Sequence, residues 1–202
     1  MKRELLEGYI GVKYVPICRD GEAGAECEAL YELFRDCGRR LSEHGMTPAN
    51  GGNMSQKIPS GGFVITTSGC NLGEVEPCEL AVVESCSLEH QEVDYRGPEK
   101  PSSEAMLHWL IYRDYPSAGA VLHAHDEVGT SVGAAAGLPE TPAEEPYGTV
   151  ALARLAAETF ARASDIIVLK NHGYVAIGDD LAEATDRVVA MHLKLAAGSN
   201  TP

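Results

Sequence analysis

The sequence predicts one three-layered α/β domain built around a mixed or antiparallel sheet, and three observations carry that prediction. The chain has 202 residues, about the size of a single domain with a substantial core. Helical and strand patterns alternate irregularly, and neither a G-x-G-x-x-G nor a Walker sequence occurs, which argues against a doubly wound unit. Short strand patterns also stand next to one another with no helix between them, as antiparallel pairing allows.

Residues 1–24 contain Gly8, Gly11, Pro16, Gly21 and Gly24 without a sustained period and read as an extended lead-in to a single domain over 25–202. From Glu26, apolar Leu30, Phe34, Cys37 and Leu41 recur at steps of three and four, which predicts a helix stopping near Gly45. The Gly-, Ser- and Asn-rich stretch that follows alternates only around Asn53–Lys57 and Phe63–Thr67, giving two short strands. Glu79–Cys86 supplies another strand, and Asp94–Pro101 reads as a polar loop. Pro-Ser-Ser-Glu opens a helix over Ser102–Tyr115, with Met106, Trp109, Leu110 and Tyr112 on its period. Gly119–His125 is a strand, Asp126–Ala136 a short helix, 137–147 a Pro-rich loop and Gly148–Arg162 an Ala-rich helix. Ile166–Lys170 and Tyr174–Ile177 are strands, and Leu181–Ala196 is a closing helix.

Lys and Arg number 16 against 30 Asp and Glu, a formal charge of −14. Nucleic acid and anionic membranes both require a cationic footprint, so neither is an expected partner. Any anionic substrate must be held by local dipoles and metal, not by the overall field. No apolar run reaches the ~18 residues of a membrane span, and the N-terminus lacks a signal-peptide pattern, so a cytoplasmic location is expected. The six cysteines include no C-x-x-C pair and read as free thiols in a reducing compartment.

His123 and His125 lie two apart at the end of an apolar strand, where the period-two geometry sends both to one face, about 6–7 Å apart along the backbone. Alone, H-x-H reads equally well as two polar strand-end residues. Asn171-His172-Gly173, between two later strands, adds a third imidazole, and three histidines with an open fourth position are the donor set of a catalytic zinc site. Glu104 falls in the first turn of a helix, where it is either a capping carboxylate or a movable acid/base that also ligates metal. Gly51-Gly52-Asn53, Thr67-Ser68-Gly69 and Ser102-Ser103 are small-residue clusters able to offer N–H and hydroxyl donors to a phosphate; each by itself also reads as a turn. Lys170, ending an apolar strand, is a weaker candidate for Schiff-base chemistry, and Asp126 reads as a helix cap or as an orienter of His125. His44, His90, His108 and His192 have no comparable partners in sequence and read as surface or helix-packing residues.

Taken in order, the motifs G-G-N-M-S, T-T-S-G, P-S-S-E, H-A-H and N-H-G resemble the class II aldolase/adducin family, over about Ala29 to Ala196. The resemblance implies an α/β/α fold with a central mixed, mainly antiparallel sheet, and a homotetramer with active sites at subunit interfaces. It makes His123, His125 and His172 ligands of Zn2+, or of another divalent transition metal, with Glu104 as acid/base and exchangeable fourth ligand. Gly52, Asn53, Ser68, Gly69, Ser102 and Ser103 match the positions that hold the phosphate of dihydroxyacetone phosphate. The implied activity is retro-aldol cleavage of a ketose 1-phosphate of the fuculose 1-phosphate kind, giving dihydroxyacetone phosphate and a short aldehyde. Other metal-dependent reactions of the scaffold are the alternatives: dehydration of methylthioribulose 1-phosphate, epimerisation of a pentulose 5-phosphate, or decarboxylation. Intact motif positions speak against a non-catalytic adducin-like module. One departure stands out: between H-A-H and N-H-G the chain is shorter than in the family's fuculose-phosphate aldolases, where that stretch carries a tyrosine serving the leaving aldehyde. Tyr147, the nearest tyrosine, does not match its position.

Overall fold

The structure, a computed structural model, describes residues 12–17, 24–161 and 165–199. Most of the predicted lead-in, Cys18 and the end of the helix predicted to reach Arg162 lie outside them. Eight strands form one sheet: β1 (Lys13–Pro16), β2 (Asn53–Lys57), β3 (Phe63–Thr66), β4 (Leu80–Ser87), β5 (Glu92–Arg96), β6 (Ala120–Ala124), β7 (Ile166–Leu169) and β8 (Gly173–Gly178). Their order across the sheet is β1-β5-β4-β3-β2-β6-β8-β7. Every neighbouring pair is antiparallel except β1 with β5, so the sheet is mixed and mainly antiparallel.

Two strands go beyond the sequence reading. In β5, which overlaps the predicted loop, Val93 and Tyr95 are buried between Glu92, Asp94 and Arg96; two apolar residues among three charged ones give too short an alternation to stand out. Strand β1 lies in the predicted lead-in and pairs Tyr14 with Val93, a long-range partnership that local pattern cannot show.

Among the described residues, five α-helices cover the sheet: α1 (Ala25–Glu43), α2 (Ala105–Asp114), α3 (Glu127–Val132), α4 (Val150–Phe160) and α5 (Leu181–Ser199). Strand alternation sorts them into layers. Val64, Val82, Leu122 and Ala176 point into a core with Phe34 and Leu41 of α1 and Leu181 and Val188 of α5. Phe63, Ile65, Val121 and Val175 point the other way, into a core with Met106 and Leu110 of α2 and Leu152 and Phe160 of α4. Each large apolar side chain buried in either core contributes about 1.5–3 kcal/mol of transfer free energy. Helix α2 starts three residues later than predicted, because the Ser102 N–H donates to the Thr66 carbonyl (3.0 Å) and ties the preceding turn to β3. Helix α3 stops at Val132, short of the predicted Ala136. No described helix is long and apolar enough to cross a membrane.

Candidate metal centre and active site

The register of the sheet assembles the site. Asn53 of β2 pairs with His123 of β6, which pairs in turn with Val175 of β8. His123 shares the α2-facing side of β6 with Val121, and His125 follows just past the strand's end. His172 sits in the tight turn from β7 to β8, beside Asn171, whose φ of 55° places it in the left-handed region that Asn tolerates better than most residues. The Asn171 amide donates to Glu144 (2.8 Å), pinning that turn.

The three rings converge, with centroids 4.8, 4.8 and 4.9 Å apart and one ligand atom of each within 4.8 Å of the others. His123 Nδ1 donates to the Tyr174 carbonyl (3.0 Å), leaving Nε2 directed at the site. Burial drives all three pKa values down, His123 to about 3, His172 to about 4 and His125 in the same direction; the neighbouring imidazoles add to the drop in His123 and His172, while Glu104 opposes it in His125 and His172. His123 Nε2 and His125 Nε2 lie 2.9 Å apart, and two neutral imidazole nitrogens this close are suited to a shared cation.

Glu104 is the N-cap residue of α2 but makes no side-chain capping bond; its carboxylate turns into the site instead. Oε2 lies 3.3 Å from His123 Nε2 and accepts a 2.7 Å hydrogen bond from Asn53 Nδ2. Oε1 lies 3.9 Å from His172 Nε2 and is buried with no hydrogen-bond partner among the described residues. A buried carboxylate oxygen beside three neutral imidazoles is where a metal ion or a transferable proton would be stabilised. The donor set therefore fits a divalent transition metal.

A cavity of about 250 Å³ adjoins this cluster, lined by Gly52, Asn53, Ser68, Gly69, Ser102, Ser103, Glu104, His125, His172 and Tyr147. All the site residues implied by the family resemblance except His123 thus line one cavity, and His123 is buried beside His125 and His172. The backbone N–H groups of Gly52, Gly69 and Ser103 take part in no hydrogen bond among the described residues, whereas those of Ser68 and Ser102 donate to Lys100 and Thr66 carbonyls. The first three can offer N–H groups to an anion; Ser68 and Ser102 are left with their hydroxyls. Gly52 has φ +88°, and a Cβ there would meet the His123 carbonyl at 2.5 Å, so only glycine lets β2 approach β6 this closely. Lys170 is exposed, not the desolvated amine that Schiff-base chemistry favours. Tyr147, half-exposed, lines the cavity wall.

Residues behind the histidines support the cluster. Asp126, read from sequence as a helix cap or an orienter of His125, does cap α3 through Val128 (3.0 Å); it also accepts from the Tyr174 hydroxyl (2.5 Å), with His192 Nδ1 at 2.8 Å, and so steadies the strand whose carbonyl orients His123. His108, expected to be a surface or helix-packing residue, is fully buried and bonded to Asn53 at 2.6 Å. The signal was present as a polar stripe, Glu104, His108 and Tyr112 at steps of four on α2, facing Asn53 and Ser55 at a step of two on β2. The five described cysteines are free. Burial pushes Cys27 up to about 11 and Cys70 and Cys86 to about 12, which makes those three unreactive.

Comparison with known proteins gives a consistent picture. The sequence profile of the Class II Aldolase and Adducin N-terminal domain matches residues 32–195. A 3-oxo-tetronate 4-phosphate decarboxylase of Haemophilus influenzae is 29% identical over 176 residues, covering 78% of this chain and 81% of that protein. A methylthioribulose-1-phosphate dehydratase of Methylococcus capsulatus is 38% identical over 95 residues, 47% of this chain and 44% of that protein. The crystal structure of an L-fuculose-1-phosphate aldolase from Thermus thermophilus superposes with a TM-score of 0.66 at 26% identity, covering 84% of this chain and 93% of that one.

Proposed function

The chain belongs to the class II aldolase and adducin family, and from that premise we propose that it is a zinc-dependent carbon–carbon lyase that releases dihydroxyacetone phosphate from a small phosphorylated keto compound. The observation that carries this reading is the pairing of Glu104 Oε1, buried and without a partner, with a three-histidine cluster beside a cavity of open N–H donors. His123, His125 and His172 would hold the metal, with Glu104 as an exchangeable ligand. Zinc there would supply Lewis acidity toward the oxygens of a substrate enediolate.

The protein's own groups divide the rest of the work. The N–H groups of Gly52, Gly69 and Ser103 and the hydroxyls of Ser68 and Ser102 hold the phosphate, fixing the ketone by contacts remote from the reacting carbons. Glu104 delivers a proton to the carbinol carbon once the carbon–carbon bond has broken, and recovers one from water.

Two substrates lead to the same point. A 3-oxo-tetronate 4-phosphate is a four-carbon 3-keto acid; when its C1–C2 bond breaks, the electron pair moves into the ketone, carbon dioxide departs, and the enediolate of dihydroxyacetone phosphate is left. Cleavage of C3–C4 in a ketose 1-phosphate leaves the same enediolate and releases an aldehyde. Decarboxylation is the favoured reading. Carbon dioxide leaves with no proton moved on the departing fragment, so the reaction asks nothing of the shortened segment before His172, and the H. influenzae decarboxylase aligns over most of the chain. Aldol cleavage is the second reading, supported by the structural likeness to a fuculose-phosphate aldolase.

The test is dihydroxyacetone phosphate release, coupled to NADH oxidation, from 3-oxo-tetronate 4-phosphate and from L-fuculose 1-phosphate, before and after chelation. Release that stops on chelation and returns with zinc is expected, faster from the keto acid. No release from either by zinc-loaded protein would overturn the lyase reading and turn attention to the dehydratase reaction. We further propose a homotetramer with sites at subunit contacts, for which light scattering should return four times the 21.5 kDa of one chain.

A further inference from the structure

We propose that His108 is a positioning residue for Glu104: acting through Asn53, it sets which carboxylate oxygen is held and which is left facing the histidines. The inference rests on the reading of Glu104 as the acid/base.

Five side chains from two elements interleave in the buried space between β2 and α2. Tyr112 OH lies 2.8 Å from Ser55 Oγ, and Ser55 Oγ lies 2.6 Å from His108 Nδ1. His108 Nε2 lies 2.6 Å from Asn53 Oδ1, and Asn53 Nδ2 donates to Glu104 Oε2 at 2.7 Å. His108 and Ser55 are wholly buried, and Asn53, Glu104 and Tyr112 are 4, 5 and 7% exposed.

Donor and acceptor chemistry gives the chain one direction. An amide oxygen only accepts, so His108 Nε2 must carry the hydrogen that Asn53 receives. In a neutral ring Nδ1 is then an acceptor, and it takes the Ser55 hydrogen, while Ser55 accepts from Tyr112. Burial keeps the His108 ring neutral, holding its pKa down to about 3. If the ring carried its hydrogen on Nδ1, Asn53 would turn its NH2 to His108 and set its oxygen against Glu104 Oε2, oxygen facing oxygen. The tautomer of His108 therefore decides whether Asn53 donates to Glu104 or repels it. An amide in the middle of the chain passes no proton along, so the device orients and does not relay. The fold does not demand this polarity, since α2 neighbours Leu107 and Leu110 pack against the same core.

The test combines 15N ring shifts of His108 in zinc-loaded protein with the variants His108→Leu, His108→Gln and Ser55→Ala. The proposal expects a neutral His108 with its hydrogen on Nε2. It expects His108→Leu to slow deuterium wash-in at the carbinol carbon of dihydroxyacetone phosphate by ~10–100-fold, with KM and zinc content unchanged. A glutamine can place a donor where Nε2 stood, so His108→Gln should recover to within about threefold of wild type. Ser55→Ala, which keeps the ring but frees Nδ1, should show a mixture of tautomers and an intermediate rate. A hydrogen on Nδ1 in the wild type would overturn the proposal, as would wild-type exchange in His108→Leu or a glutamine variant no better than leucine. Absence of exchange in wild-type protein would count against the lyase reading instead, leaving the tautomer measurement to decide the positioning role.

Discussion

Strand β2 presents two unlike faces. Met54 points into the core shared with α1 and α5, among Leu41, Leu122 and Leu181, with no exposed surface. Asn53 and Ser55, one residue to either side, point at α2 and are also buried, but their neighbours are Glu104, His108 and Tyr112. Burying polar groups costs free energy unless every donor and acceptor is matched, and the α2 side nearly achieves that match. Its exception is Glu104 Oε1. The Met54 face holds the fold together; the Asn53 face stabilises it less and fixes geometry more.

Substitutions should separate these roles. The largest effect is expected from Glu104→Gln, which removes the proton that the proposed reaction transfers: turnover should fall by about 10²–10⁴-fold, while zinc content and thermal stability stay near wild type. Loss of stability without loss of turnover per folded molecule would place Glu104 with the structural face. Met54→Ala should do the reverse, lowering unfolding free energy by about 2–5 kcal/mol through lost burial and a residual cavity. Urea titration should register that loss while the activity of the folded fraction persists. A smaller effect concerns pH. His108 is held neutral in the fold with its pKa down to about 3, whereas in the unfolded chain it titrates near 6.5, so below 6.5 the unfolded state binds the extra proton. Stability from this group is complete above pH 6.5 and is lost as pH falls toward 3, by about 2 kcal/mol at pH 5. In the metal-free protein His108→Gln should flatten that part of the stability profile; an unchanged slope would show that His108 is not a buried neutral ring.

How far the sequence foretold these features follows from the range of the interactions involved. The strands β2 and β3 announce themselves through local alternation and β4, β6, β7 and β8 through short apolar runs, with His123 and His125 two apart at the end of one of them. His172 was legible because Asn-His-Gly falls between two obvious strands. By contrast, β1 exists only because β5 is there to pair with it, and β5 carries too few apolar residues to advertise itself. The position of Glu104 at a helix start was readable, but its orientation was not, because a cap and a site residue share that sequence signature. His108 escaped because its partners, Asn53 and Ser55, are brought opposite it only when β2 packs under α2.

The site draws on residues 52–53, 67–69, 102–104, 123–125 and 172, and the carbonyl that fixes the His123 tautomer belongs to Tyr174. A growing chain therefore carries no complete candidate metal site until β8 has emerged and paired with β6. Before that moment His123 and His125 are two imidazoles without a third and without a fixed ring orientation. If the three histidines hold a metal as proposed, its capture waits for the segment that carries His172, and a product truncated before that residue would lack one of the three imidazoles.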